Sequence, residues 1–154
     1  LFRSHDWRAK VRLQKATHYG LYAVLELARD PSRQLSATDI ADIYGISSNH
    51  LAKVLRDLGR AGLVDSVRGA GGGYRFSGNS RRITLMDVIN IFEEIGSDST
   101  AAADPGDETD IGSALLLVLG EIDDIARATF GSITLDTLLK TMRWQQERES
   151  KLVD

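Results

Sequence analysis

Two short amphipathic patterns joined through a glycine, with an extended hairpin pattern directly behind them, constrain this chain more than any other feature. Ser36-Ala37-Thr38-Asp39 reads as a capping box. In such a box the serine and the acid three residues on satisfy backbone N–H groups of the first helical turn. The helix it opens would bury Ala37, Ile40, Ala41 and Tyr44. Gly45-Ile46 makes a tight break, and Ser47 or Ser48 caps the next helix. There Leu51, Val54, Leu55 and Leu58 recur at i, i+3, i+4 and i+7, the spacing of one helix face. Ala61-Gly62 ends it, and Leu63 to Val67 alternates as a strand does. Four glycines in residues 69–73 make a flexible tip before Tyr74-Arg75-Phe76 resumes an extended pattern. This order predicts a helix-turn-helix followed by a wing.

The flanking patterns complete a mainly α fold with a small β-hairpin. Leu21, Val24, Leu25 and Ala28 mark a helix ending near Asp30-Pro31. Thr84 caps a helix carrying Met86, Val88, Ile89, Ile91 and Phe92. Residues 96–112 are acidic and rich in small residues, without periodicity, and read as a loop or a partly disordered segment. Ile111, Leu115, Val118, Ile122, Ile125 and Thr129 then alternate by three and four, with Leu116, Leu119 and Ala126 widening the stripe. A helix this apolar, near Gly112–Phe130, needs more cover than one neighbour gives. It is expected to pack on its own body on one side. On the other it would meet a second subunit through Leu115, Val118, Leu119, Ile122 and Ile125. Ile133-Thr134-Leu135 and Leu138-Leu139 suggest a last short segment. The expected organisation is a winged helix-turn-helix domain at 11–96 and an acidic loop at 97–112. A dimerisation helix with a C-terminal segment follows at 113–142, then a polar tail at 143–154. Residues 1–10 have no apolar core of a targeting signal and are set aside as an N-terminal extension. The longest aliphatic run, Ala114 to Leu119, is far too short to cross a bilayer, so no membrane is expected and the place of action is the cytoplasm.

Charge points to a partner. The formal net charge of −3 hides a split. Residues 1–92 carry 14 Lys/Arg against 8 Asp/Glu, and residues 93–154 carry 5 against 14. Binding follows the local field, not the total. Opposite the Leu51/Val54/Leu55/Leu58 stripe stand Asn49, Lys53, Arg56 and Arg60, with His50 on the flank. The hairpin adds Arg68 and Arg75, and Arg81 and Arg82 follow. One helix can fill a major groove of duplex DNA, and a glycine-rich tip bearing arginine can reach the adjacent minor groove. The alternative is an interaction module whose basic face docks an acidic protein without reading DNA.

Enzymatic readings find little support. Gly71-Gly72-Gly73 lacks the rest of a phosphate-cradling loop, and there is no H-E-x-x-H, no G-x-S-x-G and no nucleophile–base pair. The chain has no cysteine, which removes disulfides, thiolate metal ligands and a thiol nucleophile. No catalytic activity is expected.

Three runs together resemble a known family: LQKATHYGLYAVLELA, LSATDIADIYGISSNHLAKVLRDLGRAGLVDSVRGAGGGYRF and ITLMDVINIFEE. They are similar to the bacterial Rrf-type winged-helix transcriptional regulators of the IscR/NsrR/RirA/CymR kind, over about Val11 to Leu139. The wing GLVDSVRGAGGGY carries the resemblance furthest. It implies a homodimer, more often a repressor, reading an imperfectly palindromic operator. By that resemblance Ser47, Ser48, Asn49, His50 and Lys53 face the major groove, and Arg68 with Gly69 enters the minor groove, Arg75 standing on the same wing. Ala52 falls where relatives use a glutamate to discriminate operators, and alanine cannot hydrogen-bond a base. Tyr74 is expected to pack the wing and not to read a base.

The loop at 97–112 takes the sensor position of the family, and there the chain departs from it. The three cysteine positions of cluster-binding members fall on Ala101, Asp107 and Ser113, and a histidine ligand position falls on Leu116. Iron–sulphur clusters want thiolates. No cofactor is therefore expected. Two readings stay open, a naturally cluster-free member or a chain whose cysteines were replaced. His18 is a weak metal-ligand candidate. It takes the first-helix position from which some relatives donate an acidic ligand across the dimer, where Asp104, Asp107, Glu108 or Asp110 of the other subunit would join it. The preferred reading is a histidine near the dimer interface. The effector is unknown.

Overall fold

The computed structural model describes residues 12–96 and 103–153. The element order is α1 (Lys15–Ala28), α2 (Ala37–Tyr44), α3 (Ser48–Arg60), β1 (Val64–Val67), β2 (Gly73–Phe76), α4 (Leu85–Phe92), α5 (Asp110–Ser132) and α6 (Leu135–Val153). The predicted fold class stands, and the helix starts follow from local chemistry. Ser36 and Asp39 close a full capping box on α2, and Thr84 and Asp87 close another on α4. Gly45 takes the left-handed conformation (φ 65°) that ends α2 and turns the chain into α3.

The core lies between α1, α2, α3, the hairpin and α4. Leu51, Val54, Leu55 and Leu58 of α3 are all buried against Ala23, Val24 and Leu27 of α1 and Ile40 and Ala41 of α2. Phe76 and Val64 close the hairpin end, and Val88 and Ile89 bring in α4.

Strands β1 and β2 pair antiparallel, with Val64 opposite Phe76 and Val67 opposite Gly73. A third element, absent from the sequence expectation, completes the wing. Leu35 bridges Tyr74, the two backbones exchanging N–H···O bonds of 3.0 and 2.7 Å. Gly73 is glycine because a Cβ there would meet the Leu35 carbonyl.

Two boundaries and one packing contact differ from expectation. Helix α5 starts at Asp110, inside the segment read as loop, because the Thr109 hydroxyl accepts from Gly112 N (3.0 Å). Residues 143–153, expected as a polar tail, continue α6 without a break. Leu135 and Leu139 anchor that helix in the core, so its polar half projects from a packed base. Finally, α5 fully buries none of its residues, and its packing on its own body is confined to its C-terminal part, where Phe130 lies against the core. A polar contact holds the same end, the Arg127 guanidinium donating to the Ile95 carbonyl. A bridge between Thr84 and Thr134 ties the start of α6 to the start of α4.

Candidate nucleic-acid interface

The α3 face opposite the buried stripe is exposed from Ser48 through His50, and again at Lys53, Arg56 and Arg60. Ser47 is the N-cap, its hydroxyl accepting from His50 N. The first turn of α3 thus points its free N–H groups, and the positive end of its dipole, in the direction of these polar side chains. The His50 ring sits edge-on to Tyr19 of α1, centroids 5.0 Å apart, which limits how far it turns. Arg60 pairs with Asp57 at 3.7 Å. Lys53, Arg56, Arg68 and Arg75 form no ion pair among the described residues.

The wing carries the rest. Arg68, Gly69, Ala70 and Gly71 are exposed at the tip. Gly69 and Gly71 have φ of 113° and 74°, a backbone that side chains resist, and Gly72 N donates to the Gly69 carbonyl (2.9 Å). The tip is therefore a built turn that presents Arg68. Arg75 stands on the same hairpin but directly opposite Asp65 in the ladder. Its field is partly cancelled where that of Arg68 is not. Tyr74 is half-buried against the core beside Leu35, in keeping with a packing role.

The chain matches the Rrf2 family model, described as an iron-dependent transcriptional regulator, over residues 13–141. It belongs to the Rrf2 family. This Rrf2 protein is 53% identical over 141 residues to the HTH-type transcriptional regulator BadM of Rhodopseudomonas palustris, across 92% of this chain and 89% of that one. IscR of T. potens superposes with a TM-score of 0.68 at 28% identity, over 86% of this chain and 89% of that one. CymR of Staphylococcus aureus gives 0.66 at 26% identity, over 82% and 96%. The chain is a winged-helix, DNA-binding transcriptional regulator of the Rrf2 type, and among its described residues no helix is long and apolar enough to cross a membrane.

Of the positions that the family resemblance aligns with cluster ligands, Ala101 lies outside the described residues. The Asp107 carboxylate accepts from Asp104 N (2.9 Å), and the Ser113 hydroxyl donates to the Asp107 carbonyl (3.2 Å). Leu116 is an exposed apolar residue. His18 is half-buried, its ring 6.1 Å from that of Tyr22. Within one protomer it joins no metal-ligating group of three or more among the described residues.

Sequence reasoning missed a polar network under the helix-turn-helix. Glu26 of α1 is only 7% exposed, accepts from the Tyr44 hydroxyl (2.9 Å) and lies 3.4 Å from the Arg29 guanidinium. Tyr44 ends α2 and stacks on Tyr22, centroids 4.9 Å apart and 6° from parallel. Burial first, and the Glu26 carboxylate second, push the Tyr44 hydroxyl up to about 12. An acid at 26 and a tyrosine at 44 show no periodicity that links them. Only the packing of α1 on α2 does.

Proposed function

We propose that this Rrf2-family regulator is a homodimer that reads a pseudo-palindromic operator and represses transcription from it, with no catalytic activity of its own. The observation that carries the reading is the exposed polar set of Ser48, Asn49, His50 and Lys53 on α3 together with Arg68 on the wing. Ser47, Ser48, Asn49, His50 and Lys53 would meet the major groove, and Arg68 and Gly69 the minor groove, with Arg75 in support. Such a regulator works where the DNA is, in the cytoplasm.

Helix α5 supports the dimer. Leu115, Val118 and Ile122 are each 56% exposed, Ile125 is 64% and Leu119 48%, on a helix with nothing buried in one protomer. A contiguous apolar face of this kind is costly in water and marks an association surface. Two-fold pairing of α5 would set the recognition helices about 34 Å apart, one turn of DNA. Replacing Val118 and Ile122 by Asp should give a folded monomer in sedimentation, with operator binding lost. A double variant that stays dimeric would overturn the α5 interface.

The donor set argues against an iron–sulphur cluster in this member. Among the positions where relatives hold the cluster stand an alanine, an aspartate and a serine already hydrogen-bonded around the start of α5, and a leucine. No thiolate exists anywhere in the chain. The signal is therefore assigned no cluster chemistry.

The test is sequence-dependent affinity for duplex DNA, mapped by footprinting the purified protein on its own genome. Lys53→Ala and Arg68→Ala should each weaken operator binding by about 1–3 kcal/mol. If both bind like the parent, the DNA face is misplaced. If affinity is indifferent to sequence, the protein-docking alternative takes its place.

A further inference from the structure

The end of α1 and the middle of α6 enclose a pocket of about 180 Å³ that the DNA-binding surface does not use. Its lining is Arg29, Leu139, Met142, Arg143 and Gln146. The composition is specific: two guanidiniums and an amide around an apolar floor of Leu139 and Met142. Arg29 approaches Glu26 through Nη1 alone, at 3.4 Å to each carboxylate oxygen, so the rest of its planar fork has no hydrogen-bond partner among the described residues. Arg143 makes no ion pair among the described residues. Guanidiniums bind planar carboxylates through two parallel N–H···O bonds. The volume is below that of ordinary drug-sized pockets, about 300–1,000 Å³, which suits a short acid better than a nucleotide.

We propose that this pocket binds a small organic monocarboxylate with a short apolar chain, its carboxylate between Arg29 and Arg143 and its chain on Leu139 and Met142. The site also has a route to the helix-turn-helix. Arg29 is the counter-ion of buried Glu26, and Glu26 holds the Tyr44 hydroxyl at the last residue of α2, beside the Gly45 turn into α3. A bound carboxylate shares Arg29 with Glu26 and leaves that buried charge less compensated. The α2–α3 pair then responds through the Glu26–Tyr44 bond. This second step rests on the DNA-binding reading above, whereas ligand binding does not.

The probe is sodium hexanoate, titrated against the full chain by amide NMR at constant ionic strength, with hexanol as the uncharged control. Saturable shifts at Arg29, Leu139, Met142 and Arg143 are expected for hexanoate and not for hexanol. Arg143→Gln should weaken binding about tenfold or more, a loss of about 1.4 kcal/mol, without changing the unperturbed spectrum elsewhere. Non-saturating shifts, or an equal affinity in Arg143→Gln, would overturn the site. The relay is read separately. Hexanoate should change operator affinity in the parent and not in Tyr44→Phe, which keeps the pocket. An equal change in both, or none in the parent while hexanoate binds, would overturn the relay. Failure of the DNA reading would instead show as absent operator binding with the hexanoate titration intact.

Discussion

Gly20 of α1 lies against the ring of Phe92 of α4 so closely that a Cβ at position 20 would overlap the ring edge. This approach seats α4 on α1 and so fixes the base from which the chain leaves for α5. Phe92 ends α4 and packs on the main core, so it has little freedom to turn away. Gly20→Ala should therefore destabilise the fold by about 1–3 kcal/mol, as overpacking does. Gly59→Ala is the control. There the nearest atom to a new Cβ, the Val64 carbonyl, is 3.7 Å away, and the helix interior gains about 0.5–1 kcal/mol from losing a glycine. Urea unfolding of both variants should show midpoint shifts of opposite sign.

The two wing arginines should not be equivalent. Arg68 stands at the exposed tip, while Arg75 faces Asp65 across the ladder. Arg68→Ala should cost about 1–3 kcal/mol of operator affinity, the loss expected for a base contact. Arg75→Ala should cost much less, because Asp65 opposite already offsets part of its attraction for DNA. Asp65→Ala should strengthen binding in the parent and have a smaller effect on the Arg75→Ala background. Affinities of the four proteins on one duplex at one salt concentration test this.

What could be read from the sequence divides along local and non-local lines. The capping boxes at Ser36/Asp39 and Thr84/Asp87 and the Leu51/Val54/Leu55/Leu58 stripe lie within single helices, where spacing of three and four residues is the physical rule. The exposed face of α3 follows once that stripe is placed. Leu35 pairing with Tyr74 is one residue long and has no alternation to reveal it. Glu93 is a second example. Its carboxylate accepts from Gln14 N (2.7 Å) and from the Thr17 hydroxyl, capping α1 where Gln14 itself supplies no side-chain cap. The two ends are 79 residues apart. The outer half of α6 was hidden for another reason: a helix that is polar all round leaves no apolar stripe to count.

Acid should weaken the helix-turn-helix through its first cap. The Asp39 carboxylate accepts from the Ser36 hydroxyl (2.7 Å) and from Ser36 N (2.8 Å). Those bonds, the hydroxyl first, hold Asp39 below its ordinary value near 3.8. A carboxyl lowered on folding stabilises the native state above its unfolded value. That contribution is lost as pH falls through the folded value. Asp39→Asn should therefore melt lower than the parent at neutral pH, and the two melting curves should converge as pH drops below the carboxylate range. A gap that persists at acid pH would assign the effect to packing and not to the charged cap.

The opposite sign holds at Tyr44, whose hydroxyl burial first and the Glu26 carboxylate second push up from an ordinary 10.0 to about 12. Its neutral form is stabilised by the fold, so its contribution is complete below pH 10 and is lost as pH rises through the folded value. Ultraviolet titration should show one late-ionising tyrosine in the parent, and Tyr44→Phe should remove it. The same substitution takes from Glu26 the hydroxyl 2.9 Å away and leaves Arg29, at 3.4 Å, as the remaining partner of a buried carboxylate. The loss at neutral pH should be about 1–2 kcal/mol, the scale of a hydrogen bond to a charged group. Tyr22→Leu, which removes only the ring stacked on Tyr44, should keep the late ionisation and separate the hydrogen bond from the stacking. If Tyr22→Leu abolishes the late step as well, burial beneath the Tyr22 ring and not the Glu26 bond holds the hydroxyl neutral.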